Sequence, residues 1–399
     1  MSEARPEGAT TPFPYAGFLV LASVIVLAVT TEGLPTGLLP EMSASLGVPR
    51  PDVGMLVTVY ALTVAVASIP LIQLTRSWPR HLLLTAATIE LGASVVLSAI
   101  MPGYGGLVVA RVLGGLGHAV FWATIGAYSG HALRPEHVAR GVAIALGGAT
   151  VGFVLGLPLT TAVGHAVGWR PTFAAIGVLL LLGAGSVRRF LPRVAGSSAT
   201  PQAPARDSSV VPVLIVCLLA LVAMTGHYAF YTYIAAYARD VLIVPPVAVA
   251  AVLLMNGAAG AVGLVCAGTF LAARPHTGIV LGLSVSVAAI ALLASAPRAP
   301  WIALPAMFLW SMAFGVLPTL MQTLLLRESS SAFRDTGNAV YTATFNIGIG
   351  GGALVGALLY SAVGLGSLPW VDVGVLVLSA VLVVAASSRL PTTRPVPAS

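Results

Sequence analysis

Lysine is absent from this 399-residue chain, and charge of any kind is scarce. Charged side chains make up 8% of the residues, against roughly 25% in a soluble domain. A core of that hydrophobicity could not cover itself with polar surface, which excludes an ordinary soluble fold. All 19 basic residues are arginine, standing singly or in pairs between apolar blocks. The formal charge of +7 therefore reads as an orientation signal, and no nucleic-acid partner is expected. Cys217 and Cys266 lie in apolar blocks without metal-ligand spacing and read as packing residues. The histidines are scattered and no convergent catalytic set is present, so neither an enzyme, a cofactor nor a metal site is expected. The first residues carry Glu3, Arg5 and Glu7 with no basic n-region, so the first apolar run is expected to be a retained helix.

Apolar residues are 58% of the chain and recur in blocks of about 20. This predicts an all-α integral membrane protein with twelve spans, at about 16–39, 52–74, 82–101, 104–128, 138–163, 170–187, 211–236, 246–271, 278–296, 302–326, 338–362 and 370–388. With the N-terminus inside, the inner loops and tails hold Arg5, Arg76, Arg80, Arg134, Arg140, Arg188, Arg189, Arg193, Arg206, Arg274, Arg327, Arg334, Arg389 and Arg394. The outer ones hold only Arg50, Arg170, Arg239 and Arg298. That bias predicts cytoplasmic termini in a cell membrane. Residues 188–210, rich in Ser, Pro, Ala and Arg, read as a flexible linker between a bundle at 1–187 and a second at 211–399.

The halves are related at an offset of 200. Gly148, Gly152, Gly156 and Gly164 meet Gly348, Gly352, Gly356 and Gly364, and Gly115 meets Gly315. The pattern reads as a parallel duplication of a six-helix unit, an arrangement common in secondary transporters. Gly148, Gly152 and Gly156 share a helix face suited to close packing, either static or at a moving interface. Pro158 removes one intrahelical hydrogen bond and is expected to bend span 5.

Span 1 holds a single ionisable group, Glu32, in Thr30-Thr31-Glu32-Gly33-Leu34-Pro35. An acid at that depth costs roughly 2.5 to 3.5 kcal/mol on insertion scales, and by default marks a functional site. In span 4, Arg111, Gly115, His118 and Trp122 fall on one helical stripe, which should face the bundle interior. Glu32 and Arg111 lie at nearly the same depth, so a Glu32–Arg111 pair, direct or water-bridged, is expected. His118 and His227 are further titratable candidates. Tyr231 and Thr232 occupy the offset-200 places of Thr31 and Glu32, which leaves the second half neutral there. Asn256, Gln322 and Asn346 could line a cavity or knit helices. Tyr60, Trp122, Tyr228, Tyr231 and Trp310 offer aromatic contact area. Glu90 in span 3 has no evident cationic partner, and Asp372 reads as interfacial.

Over nearly its whole length the chain resembles the major facilitator superfamily, and within it the twelve-helix drug:proton antiporters, nearest the sugar- or arabinose-efflux-permease-like branch. The resemblance is carried by Thr30-Thr31-Glu32, Gly37-Leu38-Leu39-Pro40-Glu41, Leu56-Val57-Thr58-Val59-Tyr60-Ala61 and Arg111-x3-Gly115-x-Gly117-His118. Further pieces are Gly152-x3-Gly156-Leu157-Pro158, Trp169-Arg170-Pro171-Thr172-Phe173, Tyr231-Thr232-Tyr233-Ile234 and Asn346-Ile347-Gly348. It implies two pseudo-symmetric six-helix bundles that rock about a midplane site, acting as a monomer. It also implies export of a drug-like compound or sugar in exchange for protons, with Glu32, Arg111 and His118 in proton coupling. Tyr60, Trp122, His227, Tyr231, Asn256, Trp310, Gln322 and Asn346 would bind substrate. Arg76, Arg80, Gly115, Gly117, Gly152, Gly156 and Pro158 would serve conformational change. Two motifs depart from the family pattern. Thr75 stands where the loop after span 2 is expected to carry Asp, and Thr160-Thr161 where the antiporter motif has glycines. A uniporter or symporter of the same fold is the main alternative; a membrane enzyme or receptor is the remoter one.

Overall fold

The computed structural model describes residues 13–133, 135–196, 207–330 and 332–387. Arg5, Arg134, Arg206, Arg389, Arg394 and the centre of the linker, 197–206, lie outside the described residues. Among the described residues, twelve helices are long and apolar enough to cross a membrane: Tyr15–Gly37, Arg50–Thr75, Arg80–Ile100, Tyr104–Ile125, Arg140–Val167, Trp169–Phe190, Val210–Asp240, Pro246–Leu271, Pro275–Ser295, Pro300–Glu328, Thr336–Val363 and Leu365–Ala385. We number them spans 1 to 12. Span 1 begins at what we call the near face, and the side reached at its end is the far face. The bundle's outer surface is apolar, with side chains such as Leu182, Val262, Val363 and Val381 turned outward as a lipid-facing surface requires.

Three departures from uniform helix have local causes. Span 1 ends at Gly37, and a separate short helix, Leu39–Leu46, carries Glu41 across the far face. Span 7 breaks after Tyr231 and resumes as Ile234–Asp240. Span 5 contains a wider π turn, Gly152–Gly156, immediately before Pro158. Proline lacks the N–H that the Val154 carbonyl would accept, and a widened turn is one way a helix absorbs that loss.

The glycine ladders pack within each half. A Cβ on Gly148 would lie 2.6 Å from the Ala22 carbonyl oxygen, and one on Gly152 2.9 Å from Val29. Gly156 abuts Thr30. In the second half Gly348, Gly352 and Gly356 meet Leu221, Thr225 and Ala229 of span 7 in the same way. The ladders therefore join span 5 to span 1 and span 11 to span 7. The seam between halves is made by other contacts, span 2 against span 11 and span 5 against span 8. There Gly257 lies against the Phe153–Val154 backbone of the π turn, and Gly350 against Leu62 and the Thr58 carbonyl.

Core packing differs between the two faces. Toward the far face one apolar cluster runs through both halves, from Leu34, Met42, Val53 and Leu56 to Phe230, Ile234, Val249 and Leu365. Toward the near face the cores are separate, one drawn only from residues before 195 and the other only from residues after 212. Ion pairs follow the same division. Arg50 pairs with Asp240, and Arg239 with Glu41, both across the seam at the far face. Near-face bonds within one half include Tyr128 to the Pro192 carbonyl, Arg140 to Tyr15 and Arg327 to the Ala272 carbonyl. Among the described residues the halves thus share ion pairs and an apolar core at the far face, and their cores are separate at the near face.

Part of the expected linker is packed. Residues 191–196 return along the first half, where the Val194 carbonyl accepts from the Arg80 backbone N–H at 2.9 Å.

Candidate functional site

The Arg111 guanidinium is buried at 4% exposure, and the backbone around it explains how. Pro35, inside span 1, has no N–H for the carbonyl four residues earlier, which belongs to Thr31. Arg111 Nη1 donates to that carbonyl at 2.9 Å, Nη2 to the Glu32 carbonyl at 3.2 Å, and Nε to the Leu56 carbonyl at 3.3 Å. Its Cζ lies 4.0 Å from the centroid of the Tyr60 ring. Three carbonyls and one aromatic face thus hold the charge.

The direct form of the expected pairing is not made. The guanidinium is held by the backbone of Glu32, and no Glu32–Arg111 side-chain ion pair forms among the described residues. The carboxylate instead lies 3.8 Å from His118 Nε2, with its side chain 20% exposed. It also acts electrostatically on the hydroxyls of Tyr228 and Tyr231 across the seam. The predicted stripe is otherwise realised: Arg111, Gly115 and His118 are buried and Trp122 partly so. The His118 ring meets Tyr60 edge-on at 5.3 Å and Trp122 at 6.1 Å.

Gly115 and Gly117 are required by packing. A Cβ on Gly115 would meet Thr63 and the Tyr60 carbonyl, and one on Gly117 would overlap the Glu90 carboxyl. Both Glu90 carboxylate oxygens are buried without a hydrogen-bond partner.

The second half contributes a neutral, aromatic wall. His227 stacks on Phe314 at 3.5 Å and 7°, and on Tyr231 at 5.1 Å and 18°, with Trp310 4.7 Å away. Asn256 accepts from Ser311 at 3.0 Å. Glu32, Tyr60, Arg111, His118 and Trp122 thus form the first half's group, with His227, Tyr231, Asn256 and Trp310 opposite.

Gln322 and Asn346 lie apart from this wall. Gln322 donates to Asn338 toward the near face at 2.8 Å, and Asn346 to the Thr342 carbonyl of its own helix. Arg76 and Arg80 sit at the near-face turn after span 2. Phe314 and Ser311 were not singled out in the sequence, although Ser311 stands 200 residues after Arg111. Asp372 is not interfacial: it is fully buried, beside Trp310 and Gly226. The second half is therefore not free of charge chemistry, as the sequence pattern had implied.

The arrangement is a polar, titratable centre between two helical bundles joined at one face. The chain is similar to a probable sugar efflux transporter of Mannheimia succiniciproducens, at 29% identity over 90% of each chain. It is also similar to a chloramphenicol efflux pump of Mycobacterium tuberculosis, at 30% identity over 90% of this chain and 91% of that one. Among solved structures it resembles a bacterial homologue of the human lysosomal transporter Spinster in an inward-facing, occupied conformation. The TM-score is 0.77 at 17% identity, covering 98% of this chain and all of that one. A peptide transporter bound to alafosfalin matches with a TM-score of 0.76 at 14% identity over 96% of each chain. The sequence pattern of the Major Facilitator Superfamily matches residues 21–348. This chain, a multi-pass membrane protein and a transporter rather than an enzyme, belongs to the Major Facilitator Superfamily.

Proposed function

We propose that the protein exports a small organic molecule, a drug-like compound or a sugar, across the cell membrane in exchange for protons. The observation that carries this reading is that, among the described residues, Glu32 makes no side-chain ion pair with Arg111 and lies beside His118. Backbone carbonyls take three of the guanidinium N–H groups, and the carboxylate lies beside His118, where it can gain and lose a proton. Protonation would cancel the charge of Glu32 and lower the cost of carrying that surface past the apolar far-face cluster. Substrate would lie between the first half's polar group and the aromatic wall of His227, Tyr231 and Trp310. The names of the efflux relatives support a drug or sugar cargo. On the arginine bias we take the near face as cytoplasmic, with both termini there, and the membrane as the plasma membrane. The divided cores support reading this as an inward-open arrangement of two units, 1–187 and 211–399, and we take the protein to work as a monomer.

The test is transport of chloramphenicol and of simple sugars by proteoliposomes with and without a pH gradient. Wild type should accumulate at least one of them when the gradient is imposed. Glu32→Gln should retain binding and exchange but lose the gradient-driven component. Equal gradient-driven uptake by the variant would refute proton coupling through Glu32, and gradient-independent transport by wild type would indicate a uniporter.

A further inference from the structure

Asp372 lies in span 12, fully buried, with neither carboxylate oxygen hydrogen-bonded to protein. No cation lies within 4 Å of it among the described residues. Its Oδ1 sits 3.2 Å from where a Cβ on Gly226 would be, so the glycine makes room for the acid. Beside it is the Trp310 indole, also wholly buried, whose N–H acts on the carboxyl as a donor while falling short of full hydrogen-bond geometry. Trp310 adjoins His227, whose Nδ1 is a buried atom without a partner, and His227 stacks on Tyr231. Tyr231 in turn lies within the electrostatic reach of Glu32. A series of polar and aromatic groups therefore runs from the central acid of the first half to a second acid deep in the other half.

A folded core does not leave polar groups so poorly paired side by side without reason. An ionised carboxylate held there with no cation, and with only the indole N–H of Trp310 as a donor, is strongly unfavourable, whereas the neutral acid supplies its own donor. Titratable groups on the elements packed against Asp372 are, on span 7, His227, Tyr228 and Tyr231, with Cys217 nearer the near face and Tyr233, Tyr237, Arg239 and Asp240 toward the far face, where Arg239 pairs with Glu41. The others are His276 at the near end of span 9, and Tyr341 and Tyr360 of span 11, with Arg334 and Asp335 at its near end. On span 10, Arg327 and Glu328 also lie at the near end. None offers Asp372 a permanent positive charge.

We propose that Asp372 is a second proton-binding carboxyl of this transporter, seated in the second half and exchanging its proton with the central cavity past His227 and Tyr231. The step is simple: a carboxylate oxygen takes up one proton from the cavity and returns it there, with no other bond made or broken. This extends the proton-coupled reading above, but proton binding by Asp372 can be measured without transport. Two carboxyls in opposite halves would let each half carry its own charge state through the rocking motion.

The experiment is infrared difference spectroscopy on the full-length, substrate-free protein in lipid nanodiscs, with aspartate isotopically labelled. A protonated-carboxyl C=O band that shifts with the aspartate label is expected. It should be lost in Asp372→Asn, with one fewer proton taken up per chain on acidification. Absence of that band at every pH where the protein stays folded would overturn the proposal. If Asp372→Asn does not fold, Trp310→Phe serves, because it keeps an aromatic ring and removes the indole N–H. The band should then change frequency, and an unmoved band would assign it to another aspartate and overturn the proposal. Gradient-driven transport by wild type is measured alongside. Its absence with the band present refutes coupling but not the site, and its presence without the band refutes the site alone.

Discussion

Ser311 Oγ donates to Asn256 Oδ1 at 3.0 Å, joining span 10 to span 8 at positions 200 residues beyond Arg111 and Leu56. In the first half the same two places are joined by Arg111 Nε and the Leu56 carbonyl, at 3.3 Å. One contact thus occurs twice, once with a buried cation and once with a neutral hydroxyl. The cation draws in the Thr31 and Glu32 carbonyls and the Tyr60 ring, whereas the hydroxyl needs only one acceptor.

Arg111→Lys and Ser311→Ala should therefore differ in severity. A lysine keeps the charge but cannot present the planar fork that reaches three carbonyls. With hydrogen bonds to charged groups worth about 1.5 to 3 kcal/mol each, the loss should be at least about 2 kcal/mol. Ser311→Ala removes one neutral bond, worth about 0.5 to 1.5 kcal/mol. Thermal unfolding in detergent compares them, and equal shifts would mean that the carbonyl contacts do not hold Arg111.

The glycine ladder gives a sharper contrast between neighbours. A Cβ at Gly148 would press on the Ala22 backbone, with its carbonyl oxygen at 2.6 Å and Cα at 2.9 Å, while at Gly147 it would meet nothing within 4 Å. Gly148→Ala should destabilise by about 1 to 3 kcal/mol, as overpacking does. Gly147→Ala should be neutral or slightly stabilising, because alanine is the better helix former. The same thermal assay on both variants checks the assignment, and a neutral Gly148→Ala would show that spans 1 and 5 can part there.

Much of this was legible in the sequence. Apolar blocks gave the spans, and the offset of 200 placed the ladders and Arg111's stripe, because both rest on helical period and burial. What escaped depends on backbone groups and on packing between distant spans. Thr31-to-Pro35 spacing marks an orphaned carbonyl, yet the carboxylate three atoms further out on Glu32 is the more obvious partner for an arginine. Asp372 looked interfacial from its place near a span end, but its burial depends on Gly226 and Trp310, which no local pattern links to it. Glu41 and Asp240 sit in short far-face helices, and only the meeting of the halves turns them into cross-seam partners.

Asp207 offers a prediction in pH. It lies just before span 7 and accepts from the Ser209 hydroxyl at 2.6 Å, the Ser330 hydroxyl at 2.5 Å and the Ser209 N–H at 2.8 Å. These donors, the Ser209 hydroxyl foremost, hold its carboxyl below the usual aspartate range. A lowered folded-state pKa gives stability that is fully present above the unfolded value and is lost as pH falls through the folded one. Asp207→Asn should therefore melt earlier than wild type at neutral pH and converge with it in acid. Melting curves across pH decide this; parallel curves would show that Asp207 does not tie span 7 to the turn after span 10.

At the far face, Arg50–Asp240 and Arg239–Glu41 tie the halves, with His165 Nε2 3.3 Å from the Glu41 carboxylate. The side chains of the two arginine pairs are 23% to 38% exposed, so solvent screens them. Pairs of that kind are worth about 0.2 to 1 kcal/mol each. Removing both with Glu41→Gln and Asp240→Asn should shift the balance between far-closed and far-open forms by up to roughly 30-fold, on the rule that 1.4 kcal/mol is tenfold. Val53, buried in the shared far-face cluster, reports on that opening when replaced by cysteine in a chain with Cys217 and Cys266 changed to alanine. A thiol reagent supplied at the far face should label Val53→Cys faster in the double variant, and high salt should speed labelling in the parent, because screening weakens the same pairs. Unchanged labelling in both cases would assign closure to the apolar cluster alone, and the ion pairs would then set only how the two halves meet.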